Sequence, residues 1–343
     1  MAEKEWRDVY ADCAASAPVH EVAESWMEGS GFANPNSVHR DGRIARGFLE
    51  KARNMIAECI GADRPSEIAF TPSATAACHY AIDTLAIGAC SEFEHKAVYD
   101  YAKEIRLLNL AAHHSYARML VNNETGERYD FEVKRLNGEG LRVFTDATAA
   151  VGQIPVNVKE LGVEALAAGA HKFGGYPGIG FVYIKGGVCD DDTFPGTPPV
   201  ALAMAMAEVL KYRVEHMEEA TQYLDRNISA LIYDLMGIKG AHINTLFGYG
   251  VRVPNILSVR FDGVNARQLL VALDALGVRA SAGAACSADS DEPSRSLLAS
   301  GLTKEQALST IRLSFCPETK PSDFQYVAEA LRKAVTQLRQ LSV

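Results

Sequence analysis

Residues 141–184 read LRVFTDATAAVGQIPVNVKELGVEALAAGAHKFGGYPGIGFVYI. Three short apolar runs punctuate this stretch: 141–145, which ends at Asp146; 165–169, which stops just before His171 and Lys172; and 181–184, which follows a cluster of glycines at 174, 175, 178 and 180. Runs of this length bounded by turn signals read as buried strands. Upstream, Asn34-Pro-Asn-Ser37 opens a stretch whose Ile44, Phe48, Met55, Ile56 and Ile60 fit one helical face over 38–60, with Gly61 as the stop signal. A short strand over 67–70 then runs through Thr71-Pro-Ser-Ala-Thr75 into a helix of small residues, 76–86, and Ser91-Glu-Phe-Glu94 reads as a capping box opening a helix to about 110. Strands that alternate with helices predict an α/β layer on a mostly parallel sheet, whose ligands gather at the carboxyl ends of the strands.

Downstream the pattern changes. Helical periodicity over 201–235 is followed by a strand at 256–261, a helix at 266–276, a small-residue loop at 281–291, a strand at 310–315 and a closing helix at 321–341. We read residues 15–205 as a large domain, and residues 1–14 with 206–343 as a smaller α+β domain that carries the loop of Cys286.

Composition narrows the classes. The 343 residues are 48% hydrophobic and 22% charged, as in ordinary globular proteins, and the net charge of −9 comes with no basic stretch to follow a phosphate backbone. No direct nucleic-acid partner is implied. The N-terminus MAEKEWRDVYADCAAS lacks an export pattern, and no apolar run nears the roughly 20 residues of a membrane helix. Seven cysteines, an odd number with no C-x-x-C pair, predict neither a disulfide framework nor a zinc site. The expected setting is cytoplasmic, where a free thiol can work.

Asp146 and Lys172 each fall just past a strand end, which places an acid and an amine on one rim. Pyridoxal phosphate (PLP) needs that pair: the amine takes the aldehyde, and the carboxylate keeps the pyridine nitrogen protonated. The turn Ser73-Ala74-Thr75 offers amides and hydroxyls at a helix N-terminus, a seat for phosphate. His95, at a helix start, is placed to stack on a ring and move protons near neutral pH. Cys286 lies in Ser281-Ala-Gly-Ala-Ala-Cys286, with no apolar periodicity to bury it, whereas Cys59 and Cys78 fall inside helices. Arg312, inside a strand, has a planar fork that matches a carboxylate.

These residues, with Asn34-Pro-Asn-Ser-Val-His39, Glu94-His-Lys-Ala-Val98, Val121-Asn-Asn-Glu-Thr-Gly126, Asp146-Ala-Thr148, Ala170-His-Lys172, Gly196-Thr197, Pro254-Asn-Ile-Leu257, Glu292-Pro-Ser294 and Ser309-Thr-Ile-Arg312, give a chain that resembles the NifS/IscS-type cysteine desulfurases. The resemblance runs from about Tyr10 to the C-terminus and implies the fold-type I architecture of PLP enzymes. It implies that Lys172 carries the cofactor, Asp146 meets the pyridine nitrogen and His95 stacks on the ring. Asn123 would lie beside cofactor and substrate, with Asn34 also on the substrate side. Ala74, Thr75 and His171 would hold the phosphate, Thr197 would be donated across a homodimer, and Arg312 would clamp the carboxylate of L-cysteine. Cys286 would take the sulfur as a persulfide for an acceptor protein, with L-alanine as the other product. Iron–sulfur scaffolds and tRNA-thiolation proteins are acceptors within the family's range.

The chain departs from that pattern at Ala149, where the family has a glutamine, at Gly169 in place of a serine, at Phe194 in place of an arginine, and in the turn Thr71-Pro-Ser-Ala-Thr-Ala76. The segment between His95 and Asn122 is also short. Two alternatives use the same residues: a related PLP lyase or aminotransferase of another substrate, and a pseudoenzyme partner with a depleted cofactor pocket.

Overall fold

The computed structural model describes residues 7–27, 33–108, 112, 114–187, 196–244, 251–283 and 292–341. The chain forms two compact units, one of residues 16–121 and 129–217, the other of residues 1–15, 122–128 and 218–343.

In the larger unit the helix Arg40–Ile60 buries Ala45, Leu49, Ala52, Ile56 and Ile60 at three- and four-residue spacing. The His39 side chain accepts from the Gly42 amide at its start, and Gly61 closes it at φ 69°, where a Cβ would strain the backbone. Five strands form one sheet in the order Ile68–Thr71, Gly180–Ile184, Ala165–Gly169, Arg142–Asp146, Ser115–Ala117. Strand 180–184 runs antiparallel to both neighbours, and the other four share one direction. This is the α/β layer read from the sequence. Helix Ala74–Leu85 packs on it through Ala77, Ala81, Ile82 and Leu85 against Phe144, Ala167 and Val182.

The helical pattern over 201–235 is carried by two helices, Val200–Glu215 and Met217–Met236. The first buries Ala203, Met206, Ala207 and Leu210 in the larger unit, and the second buries Leu224, Ile228, Leu231 and Leu235 in the smaller, so the break at His216 lies where the chain changes cores. The unit boundary accordingly falls at 217/218 rather than 205/206, and the excursion 122–128 belongs to the smaller unit.

In that smaller unit, strands Thr310–Ser314, Ile256–Phe261 and Ala241–Ile243 make an antiparallel sheet in that order. Helix Pro321–Leu341 brings Phe324, Val327, Leu331 and Val335 to a core that includes Leu257, Ile311 and Leu313. The N-terminal strand Val9–Tyr10 pairs in parallel with Val278–Arg279, and Asp12 bridges to Ser314.

This last pairing overturns one expectation. Cys13 and Cys316, 303 residues apart, form a disulfide. Counting cysteines and spacings along the chain carries no information on which thiols a fold brings together. Closing so long a loop restricts the unfolded chain, an effect of roughly 2–5 kcal/mol for native disulfides. Reduction of the purified protein, or Cys13→Ser, is expected to lower the thermal-unfolding midpoint, and alkylation under non-reducing denaturation should leave these two cysteines unlabelled; labelling of both thiols would refute the bond.

Candidate active site

Asp146 ends strand 142–146, and the neighbouring parallel strand 165–169 leads directly into a tight turn, Ala170–Lys172. Register pairs Asp146 with Ala167, so acid and amine emerge from one edge of the sheet. Asp146 is only 7% exposed, and its Oδ1 accepts from the Thr148 amide at 2.9 Å. The turn carrying Lys172 is fixed by backbone bonds from Ala17 to the His171 carbonyl and from Gly175 to the Ala170 carbonyl. His171 is pushed down to about 4 by burial and by the Lys172 ammonium, so its ring is neutral at physiological pH.

The turn expected to take phosphate lies at the N-terminus of helix 74–85, where Ser73 caps by accepting from the Ala76 amide at 3.1 Å. Two glycines decide how closely that turn meets the sheet. A Cβ on Gly180 would lie 3.0 Å from the Ser73 carbonyl carbon and 3.1 Å from the Ala74 nitrogen; one on Gly169 would lie 3.0 Å from the Ala74 Cβ and 3.3 Å from the His171 ring. The departure at Gly169 thus has a steric reason: with Ala74 opposite it, a serine would crowd both Ala74 and His171.

Ser91-Glu-Phe-Glu94 does not open the next helix. That helix runs from Lys96 to Leu107 and is capped by His95, whose Nδ1 accepts from the Ala97 amide at 3.2 Å. In the neutral ring this places the proton on Nε2. Glu94 instead turns inward: its Oε1 accepts from the Ser91 hydroxyl at 2.6 Å and from the Met119 amide at 2.7 Å. Burial pushes its carboxyl up to about 7, and nearby Asp146 adds to the rise. The buried Cys78 thiol is likewise raised, by burial first and then by Asp146 and Glu94.

In the smaller unit Arg312 sits on strand 310–314 and is 2% exposed. Its Nη1 donates to the Asn123 carbonyl and its Nη2 to Asp12 Oδ1, both at 2.8 Å, while its Nε has no acceptor among the described residues. Asn123 is held by its neighbour: Asn122 Oδ1 accepts from the amides of Glu124 and Thr125, and Asn122 Nδ2 donates to Ser296 at 2.7 Å. Glu124 is also buried, its carboxyl raised by desolvation against a Ser294 hydrogen bond and the charges of Arg312 and Arg295. Sequence reading missed Asp12, Glu124 and Glu94, although an acid between Ala11 and Cys13 in an otherwise apolar run was a visible signal for the first.

Three of the expected residues are exposed in the single chain. Asn34 is exposed, and its Oδ1 accepts from the Asn36 amide in a local turn. Thr197 is exposed and follows Gly196, which has φ 120°, and Thr75 is exposed at the helix start. Cys286 and Phe194 lie outside the described residues.

Residues 109–191 and 190–327 match the model of the aminotransferase class-V family. The chain belongs to the class-V aminotransferase family. Among similar proteins, the cysteine desulfurase IscS of Edwardsiella ictaluri is 32% identical over 392 residues, spanning 97% of this chain and 94% of that one. The IscS of Serratia proteamaculans is 32% identical over 390 residues with the same coverage. A solved NifS-like protein superposes with a TM-score of 0.86 at 26% identity, covering 97% of this chain and all of that one. A cysteine desulfurase from Thermococcus onnurineus, at 18% identity and a TM-score of 0.82, shares the fold.

Class-V enzymes are PLP-dependent, and the residues present fit that group. Asp146 would supply a carboxylate for the pyridine nitrogen, Lys172 an amine for the aldehyde, His171 a neutral ring N–H for phosphate, and the turn at 73–75 its amides. Thr148 Oγ1, two residues beyond Asp146, is buried with no hydrogen-bond partner among the described residues, an orphan that a polar cofactor group would satisfy.

Because the Glu94 carboxyl is held near 7 in the folded class-V chain against 4.5 as a free side chain, the native state binds more protons than the unfolded one between those values. The stability it contributes is complete below 4.5 and is lost as pH rises through about 7. Glu94→Gln should therefore flatten the fall of the unfolding midpoint across that window, and an unchanged slope would assign the proton elsewhere.

Proposed function

We propose that this chain is a PLP-dependent cysteine desulfurase that converts L-cysteine to L-alanine and passes the sulfur, as a persulfide on Cys286, to an acceptor protein. The observation that carries the substrate class is Arg312: a guanidinium 2% exposed, with two nitrogens engaged and Nε without an acceptor among the described residues. A buried donor without a partner costs about 1–3 kcal/mol, and an amino acid's α-carboxylate removes that cost through a charge-assisted bond. The names of the relatives, cysteine desulfurase IscS, support cysteine as the amino acid.

Pyridoxal phosphate, when bound, supplies the electron sink that loosens bonds at the substrate's α-carbon. Lys172 would hold it by the aldehyde carbon, Asp146 by the ring nitrogen, and His171 with the amides of Ala74 and Thr75 by the phosphate. Arg312 binds the carboxylate, and the Asn123 carbonyl keeps the guanidinium in plane. His95, with its Nδ1 accepting from Ala97, holds a proton at Nε2 for the reacting atoms. The Cys286 thiol attacks the substrate sulfur; the new S–S bond forms as the carbon–sulfur bond breaks, its electron pair stays with the carbon skeleton, and protonation there releases alanine. Thr197, exposed in the single chain, supports a homodimer in which it meets the second copy.

Purified enzyme given cysteine and a thiol reductant should release alanine and sulfide in equal amounts. Cys286→Ala should abolish sulfide release, a loss of at least about 100-fold as for other covalent nucleophiles, while the visible cofactor absorbance persists; Lys172→Ala should lose that absorbance. Full activity in the Cys286 variant would overturn the reading. Light scattering should give the mass of two chains.

A further inference from the structure

We propose that Asp12 is a positioning residue that orients Arg312 toward the α-carboxylate, and thereby sets how well the enzyme distinguishes a carboxylate-bearing ligand from its neutral counterpart. The proposal rests on the amino-acid reading of Arg312 above.

A guanidinium has five N–H groups in one plane, so fixing two of its nitrogens fixes the third. At Arg312 the two are fixed by the Asn123 carbonyl and by Asp12 Oδ1, which leaves the Nε edge with no acceptor among the described residues. Asp12 is itself fastened. Its Oδ2 accepts from the Ser281 hydroxyl at 2.9 Å, its backbone bridges to Ser314, and the next residue, Cys13, is covalently joined to Cys316. Backbone bonds from Ser314 to the Ala11 carbonyl and from Cys13 to the Ser314 carbonyl hold the segment on either side. An acid so immobilised can impose a direction on a long side chain, whereas a solvated one could not.

Asp12 acts on an incoming carboxylate in two opposed ways. Its charge repels the anion and its hydrogen bond orients the cation that receives it. The acid's side chain is 20% exposed and the arginine's 2%, so water screens the repulsion more than it loosens the orientation. Orientation dominates on this geometry. Two substitutions separate the effects: Asp12→Asn removes the charge and keeps an acceptor, whereas Asp12→Ala removes both.

The test is calorimetric titration of the cofactor-loaded enzyme with L-alanine and with L-alaninol, which lacks the carboxylate. The wild type should favour alanine. Asp12→Ala should cut that preference about tenfold, the scale of one charge-assisted hydrogen bond, and Asp12→Asn should keep it within about threefold. Ser281→Ala, which frees one oxygen of Asp12 while leaving the backbone bonds between residues 281 and 312 and both side-chain bonds of Arg312 in place, should lower the preference by an intermediate factor and serves if Asp12→Ala does not fold. A merely structural role would weaken both ligands alike. An unchanged preference in Asp12→Ala and Ser281→Ala, or tighter alanine binding in both Asp12 variants, overturns the proposal. Failure of the desulfurase reading shows itself differently, as a wild type that prefers alanine to alaninol yet forms no sulfide from cysteine.

Discussion

Gly169 and Gly180 let the first turn of helix 74–85 lie close against the sheet: a Cβ on either would come within about 3 Å of Ser73 or Ala74. That close approach is the constraint on which the larger unit turns. It brings unsatisfied helix amides to the same edge where strand 142–146 ends in Asp146 and strand 165–169 gives way to Lys172. The edge then holds a carboxyl group, an amine and a set of amide donors, three different functional groups brought together by the run of the backbone. Because alanines fill strand 165–169 and the inner face of the helix, the layer is thin enough for Glu94, Cys78 and Asp146 to influence one another through a poorly screened interior.

The smaller unit solves a different problem, how to keep a guanidinium out of water. A buried cation is tolerated when its hydrogen bonds are met and a counter-charge lies close. Arg312 has a carbonyl, Asp12 and, further off, Glu124, all held by segments that other contacts fix. One edge is left over, and the chemistry proposed for the protein follows from what can satisfy it. The departure at Gly169 is matched by Ala74 opposite, and beside Ala149 the buried Thr148 hydroxyl has no hydrogen-bond partner among the described residues.

Much of this was legible. Strands bounded by Asp146, by His171-Lys172 and by the glycine cluster were readable because buried strands must be apolar, and the turns between them need the backbone freedom of particular residues. The helix 40–60 was readable for the analogous reason, an apolar face at helical spacing with a glycine stop. Other elements misled. Ser91 and Glu94 satisfy the pattern of a capping box, and they do bond to each other, but a buried amide at Met119 competes for the same carboxylate and wins it inward, leaving His95 as the cap. One helical periodicity over 201–235 hid two helices, since period says nothing of which core a face will meet.

The sequence by itself determined the α/β order of the main strands and helices and offered the acid, amine, thiol and guanidinium as candidates, because periodicity, turn residues and functional groups are properties of neighbours along the chain. Only the tertiary structure decided that Cys13 bonds Cys316, that Asp12 holds Arg312, and that burial raises the Glu94 carboxyl to about 7. Each of those depends on distances between residues tens to hundreds of positions apart, and on how much water the surrounding atoms exclude. Neither quantity is written in any local run of residues; both appear only when the chain has packed.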